Sequence, residues 1–165
     1  MSQLKIRVEN KELLEAIEKG PETLKKHMGL AVLDAVQNMA REAKTKRAPK
    51  FKSELANSIL PKWSSSSPLY GEVVAGKKYA RMVEEGTGPG GYPPIQDTID
   101  WLRLKRIRPA DPAMNQKELA YAVAKSIALH GTPPQPFMEP TFESNKANVE
   151  KAIEEAIDRA LSEMQ

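Results

Sequence analysis

The stretch Gly131-Thr132-Pro133-Pro134-Gln135-Pro136-Phe137-Met138-Glu139-Pro140 constrains this chain more than any other. Each proline fixes its own φ and disfavours helix in the residue before it, so the backbone must run extended here. Whatever precedes Gly131 and whatever follows Pro140 must therefore be separate elements. Phe137 is a large apolar group on a stiff strip, worth roughly 1.5–3 kcal/mol if buried. A stiff strip loses little entropy on docking, which reads as an assembly element. The alternative is a plain connector whose aromatic side chain folds into the domain's own core.

On either side of the strip the pattern is helical. Val149, Ile153, Ala156, Ile157, Ala160 and Leu161 recur at three- and four-residue steps and predict a long final helix. Leu24, Met28, Val32, Ala35, Val36, Met39 and Ala43 predict another, ended by Pro49, with Met28 and Met39 as core filler. Two more helices fit before the strip. One is striped by Ile95, Ile99, Leu102 and Ile107, and Asp111-Pro112 breaks the chain after it. The other carries Leu119, Val123, Ile127 and His130 on one face, with Gly131 as its C-cap. A short amphipathic helix is expected from Lys11 to Lys19, stopped by Gly20-Pro21.

Strand signals are shorter. Leu4, Ile6 and Val8 alternate with charged residues, the period of a half-buried strand. Leu55 to Ile59 and Tyr70 to Ala75 read as strands flanking the low-complexity linker Ser64-Ser65-Ser66-Ser67-Pro68, which is expected to be mobile. Tyr79 to Glu85 fits a strand or a single helical turn, and Gly86 through Pro94 must be a loop. The expected fold class is α+β. A small antiparallel sheet packs with a long helix in the N-terminal half and a long C-terminal helix. One domain over residues 1–165 carries a helical insertion over 92–131.

No constellation for chemistry emerges. Gly86-Thr87-Gly88-Pro89-Gly90-Gly91 is glycine-rich, but a phosphate loop needs a Lys-Ser/Thr pair opening a helix, and Tyr92-Pro93-Pro94 follows instead. His27 and His130 stand on separate helices without ligand-spaced neighbours. Glu84 and Glu85 are adjacent, so in a strand they would face opposite sides. Cysteine is absent, which excludes thiol catalysis and zinc–thiolate sites in this chain. The expectation is no enzyme, no cofactor and no bound metal. Met1 to Asn10 lacks the apolar core of a secretory signal, and no stretch approaches the roughly 20 apolar residues of a membrane helix, so no membrane partner is expected.

A net charge of +3 does not by itself point to nucleic acid. Its distribution says more, because Arg41, Lys44, Lys46, Arg47, Lys50 and Lys52 lie close together, and Arg103, Lys105, Arg106 and Arg108 form a second group. Such runs are ordinarily solvated helix faces, and their functional alternative is a surface facing DNA phosphates or an acidic partner. From Glu139 onward the chain is acidic on balance.

Three segments, in order, resemble the neck and tail-completion family of long-tailed bacteriophages, which includes minor tail protein Z. Ala48-Pro49 followed by Leu55-Ala56-Asn57-Ser58-Ile59 is similar to that family's Ala-Pro and Gly-x-Leu-x-x-Ser-Ile. Tyr79-Ala80-x-x-Val83-Glu84-x-Gly86-Thr87 is similar to its Tyr-Ala-x-x-Val-Glu-aromatic-Gly-Thr, and Pro134-Gln135-Pro136-Phe137-Met138-x-Pro140 to its Pro-x-Pro-Phe-Leu/Met-Arg-Pro strip. Ser53 stands where the family has glycine, Glu85 where it has an aromatic residue, and Glu139 where it has arginine.

The resemblance implies a structural protein of a phage or prophage virion that acts in tail completion and head–tail joining. Its partners would be other neck and tail proteins. It would form a homo-oligomeric ring in the particle while being a monomer when free, assembled in the host bacterial cytoplasm. Closed rings use heterologous contacts, in which one patch meets a different patch on the next subunit. Tyr79, Glu84, Gly86 and Thr87 would supply one patch, and Pro134, Pro136, Phe137 and Pro140 the other; equally, the two segments could pack against each other within one subunit. The rival reading is a small DNA-binding accessory protein using the basic 41–52 segment, with non-specific DNA contact.

Overall fold

A computed structural model describes residues 4–7, 20–51, 53–64 and 69–164, the first of these ranges as backbone. The helix expected over Lys11 to Lys19 lies outside the described residues, as do Lys52 and most of the serine linker. The architecture is α+β. Its elements run β1 (Leu4–Arg7), α1 (Glu22–Glu42), α2 (Glu54–Asn57), β2 (Ile59–Ser64), β3 (Tyr70–Ala75), α3 (Ala80–Glu85), α4 (Ile95–Leu104), α5 (Gln116–His130) and α6 (Glu139–Glu163). They divide into two compact units, residues 1–80 with 136–165 and residues 81–135. The second unit begins well before the insertion expected over 92–131, because backbone hydrogen bonds tie Val83 to Gln135 and Thr87 to Thr132.

In the first unit the sheet is antiparallel with order β1-β3-β2, and Ile6 and Pro61 both pair with Val73. The second strand was expected over Leu55 to Ile59, yet Leu55 and Ala56 belong to the one-turn helix α2 and the strand starts at Ile59. Pro61 concealed this from the sequence. A proline lacks the N–H that a central strand needs, but β2 is an edge strand and tolerates it. Gly71 lies where β3 crosses α1, since a methyl group there would stand 2.5 Å from Val36 Cγ1 and 2.7 Å from Val32 Cγ1.

Helices α1 and α6 pack along each other. Their shared core gathers Met28, Ala156, Leu24, Val32, Ile153 and Ile157, which the helical spacing singles out, together with Leu69, which it does not. Met28 and Met39 are both buried, as filler should be. Past Glu42 the helix widens into a π-helical turn, Ala43–Arg47, closed by Ala48 N–H donating to Ala43 O at 2.8 Å. That turn buries Ala43 and Ala48 and finishes the helix before Pro49.

In the second unit α4 packs on α5, and the buried line on α5 is Ala120 and Ala124, with Leu119, Val123 and Ile127 half-buried beside it. Small residues on that line let the two helix backbones approach. Ile107 was expected on the stripe of α4, but the helix stops at Leu104. Arg106 N–H donates to Arg103 O and Ile107 N–H to Leu102 O, with Arg106 at φ +56°. This paired-bond helix ending normally puts glycine at the left-handed position, and here the position holds arginine.

Candidate functional site

The two segments expected to face neighbouring subunits meet within one chain where Val83 bonds Gln135 and Gly86 stands against Pro134. Residues Ala80–Glu85 form α3, and Gly86 follows at φ +74°. Thr87 then bridges to Thr132. Thr87 N–H donates to Thr132 O at 3.0 Å and Thr132 N–H to Thr87 O at 3.1 Å, while their hydroxyls lie 3.0 Å apart. Gly90 N–H donates to Ala128 O at 3.0 Å and Gln135 N–H to Val83 O at 2.8 Å. A methyl group on Gly86 would meet Thr132 O at 2.6 Å and Pro134 N at 2.8 Å, so the loop fits the strip only without a side chain.

Phe137 requires a correction as an interface residue. It is fully buried, as is Met138, because the chain bends there into α6. Thr141 Oγ1 donates to Phe137 O at 2.6 Å and holds that bend. Glu84 is buried too. Of the remaining expected interface positions, Tyr79, Pro134 and Pro136 are exposed, whereas Gly86, Thr87 and Pro140 are half-buried. Beside Tyr79, Lys77 Nζ sits 3.0 Å from Glu54 Oε2. Partial burial, and secondarily the Glu54 charge, pushes the Tyr79 hydroxyl above its ordinary pKa, while the hydrogen bond to Glu54 raises that of Lys77.

The basic 41–52 segment is only partly free. Arg41, Lys44, Lys46 and Lys50 are exposed. Their position at the C-terminal end of α1 has a structural reason, since cations there complement the helix dipole. Arg47 folds back, with Nη2 2.8 Å from Glu42 Oε1 and a second hydrogen bond to Ser144 Oγ at 3.1 Å.

Glu42 is thereby the hub between α1 and α6. It accepts from Asn145 Nδ2 at 2.8 Å, from Arg47 Nε at 2.9 Å and from Ser144 Oγ at 3.2 Å. The Asn145 hydrogen bond, aided by those of Arg47 and Ser144, holds its carboxyl below the ordinary value of 4.5 against the opposing effect of burial. A depressed carboxylate stabilises the fold at pH values above its unfolded pKa, and that contribution is lost as pH falls through the folded pKa. We therefore expect Glu42→Ala to cost about 1.5–3 kcal/mol at neutral pH, the range for hydrogen bonds to a charged group. The difference from wild type should shrink as pH falls below 4.5, where the unfolded carboxyl takes up its proton, and should be lost once pH is below the lowered folded value as well. Denaturant melts of both proteins across that range check it. A pH-independent difference would mean that the Glu42 charge contributes nothing.

A second polar contact joins the same two helices, with His27 Nε2 3.1 Å from Glu163 Oε1. The His27 ring lowers the Glu163 carboxyl pKa, chiefly by hydrogen bonding.

Two charged features were legible as composition but not as geometry. The Arg103–Arg108 run was visible as a basic group, yet its folding into a tight turn was hidden by counting Ile107 into the helix. The acidic bias after Glu139 resolves into a stripe. Glu143, Glu150, Glu154 and Asp158 recur at seven- and four-residue steps and are all exposed, a pattern that helical spacing alone could have found. Among the described residues no group of three or more His, Asp or Glu is gathered as a metal ion would need, and no helix is long and apolar enough to cross a membrane. Compared with known proteins, the chain matches no family model, no curated protein and no solved structure.

Proposed function

We propose that this chain is a structural component of a bacteriophage or prophage virion, acting in tail completion and head–tail joining as a subunit of a neck ring. The observation that carries the reading is the mutual fit of the segments that resemble the neck family. The second motif is hydrogen-bonded to the third through Val83 and Gln135, and its Thr87 pairs with Thr132, two residues before the third begins. Gly86 sits at the positive φ that its motif's glycine would serve. Ser53 occupies the place of the first motif's glycine, and its backbone is also left-handed, at φ +52°. At Gly86 the residue type on which the resemblance rests is thus the type that this backbone favours, whereas at Ser53 the backbone suits the family's glycine and the residue departs from it. With Phe137 and Glu84 buried, a ring contact would use other surfaces.

Deleting the gene from a phage that encodes it, and imaging the lysate, tests the role. Filled heads with separate or defective tails, and few joined particles, are expected. Normal yields of joined, infectious virions would refute it. Tight duplex-DNA binding by the isolated protein that weakens steeply with salt would favour a DNA-binding accessory protein instead.

A further inference from the structure

The turn after α4 combines two unfavourable choices. Arg106 adopts a left-handed backbone that glycine would adopt more cheaply. Arg103, Arg106 and Arg108 also line one open concavity of about 360 Å³, together with Ile107 and Gln116. All three arginines and Lys105 are exposed, and among the described residues none of the four makes an ion pair. The turn is nevertheless firmly built. Two backbone hydrogen bonds close it, and Gln116 Nε2 donates to Ile107 O at 3.1 Å. Asn115 and Glu118 form a reciprocal cap at the start of α5. Strain and like-charge crowding in a rigid, open feature point to a partner that compensates both.

Helix α6 supplies the complementary chemistry. Glu143, Glu150, Glu154 and Asp158 make a solvent-facing stripe about 22 Å long at 1.5 Å per residue, and among the described residues none of them makes an ion pair. Leu161, half exposed, extends the same stripe by three residues. On the basic side Leu104 and Ile107 are exposed among the arginines. Both surfaces thus mix charge with apolar side chains. A duplex backbone would use the charge and leave Leu104 and Ile107 in water, whereas a protein surface would use both.

We propose that the Arg103–Arg108 turn of one copy docks on the Glu143–Asp158 face of α6 in a second copy. The contact is heterologous, one patch meeting a different patch, so each subunit keeps a free turn and a free stripe for the next. It rests on the ring reading for its place in the particle, but it can fail while the deletion phenotype stands, because it concerns one contact.

The test uses the chain's lack of cysteine. Lys105→Cys and Ala147→Cys, both at exposed positions, place one thiol beside the turn and one on the stripe, in separate molecules. On mixing under mild oxidation at low salt, the mixed disulfide should form at least about tenfold faster than either homodimer. About 1 M salt, where the Debye length is roughly 3 Å, should abolish that preference. Adding Arg103→Glu, Arg106→Glu and Arg108→Glu to the Lys105→Cys chain should remove the preference. Adding Glu143→Lys, Glu150→Lys, Glu154→Lys and Asp158→Lys to the Ala147→Cys partner should then restore it. Circular dichroism confirms that each variant is folded. Equal rates for mixed and homodimeric disulfides overturn the proposal, as does loss of the preference without restoration by the reversed partner. Arginine-dependent binding of a duplex DNA probe with no mixed-disulfide preference would assign the turn to nucleic acid instead.

Discussion

Phe137→Ala should lower the stability of this protein by about 3–5 kcal/mol, the range for truncating a fully buried aromatic side chain. Phe137 is the largest of the fully buried side chains and has no exposed surface. It sits at the bend into α6 beside Met138, which is also buried, so a cavity there has little freedom to collapse. For a chain of this length, each kcal/mol moves the melting temperature by about 2–4 °C. A thermal melt should therefore drop by something on the order of 10 °C, and Phe137→Leu, which keeps most of the volume, should recover most of the loss. An unchanged melting temperature for Phe137→Ala would return the side chain to an interface role.

The second large effect is expected at Gly131. Its backbone angles, φ +77° and ψ −162°, fall in a region essentially reserved for glycine. A methyl group there would also overlap the Thr87 carbonyl, which accepts the Thr132 N–H. Gly131→Ala must therefore either distort the end of α5 or release the Thr87–Thr132 bridge, with a local cost of roughly 3 kcal/mol or more from strain and lost hydrogen bonds. The readout is hydrogen exchange at the amides of Thr87, Gly90 and Thr132, all of which donate to backbone carbonyls in the folded loop. Their protection should fall sharply in the variant. Retained protection at all three would show that the loop does not depend on that backbone conformation.

These two residues also mark how far the sequence could be read. The long helices were legible because each buries one apolar stripe, and Leu24, Met28, Ile153 and Ala156 meet in the core where that spacing puts them. The proline strip was legible as non-helical backbone through Pro136, but the helix begins at Glu139 within it, and the sequence did not mark the strip as an inward or outward feature. Proline chemistry fixes φ and says nothing about which way the next side chain points. Tyr79 to Glu85 was ambiguous because six residues, Ala80–Glu85, make fewer than two helical turns. The Leu55–Ile59 error had a different cause, since the edge position that excuses Pro61 is a property of the whole sheet. Of the candidate surfaces, only composition was read. The αL arginine depends on where a helix ends, whereas the four carboxylates on α6 follow helical spacing that the sequence already carries.

The hydrogen bond between Val83 O and Gln135 N brings together two points more than fifty residues apart in the chain. Topologically, residues 84–134 are a closed handle whose two feet stand side by side. The entropic cost of closing such a handle grows only with the logarithm of its length, about 0.6 kcal/mol for each doubling. Segments of quite different size can hang from the same feet for little free energy, which makes this junction a natural place for one ancestral chain to gain or shed a module.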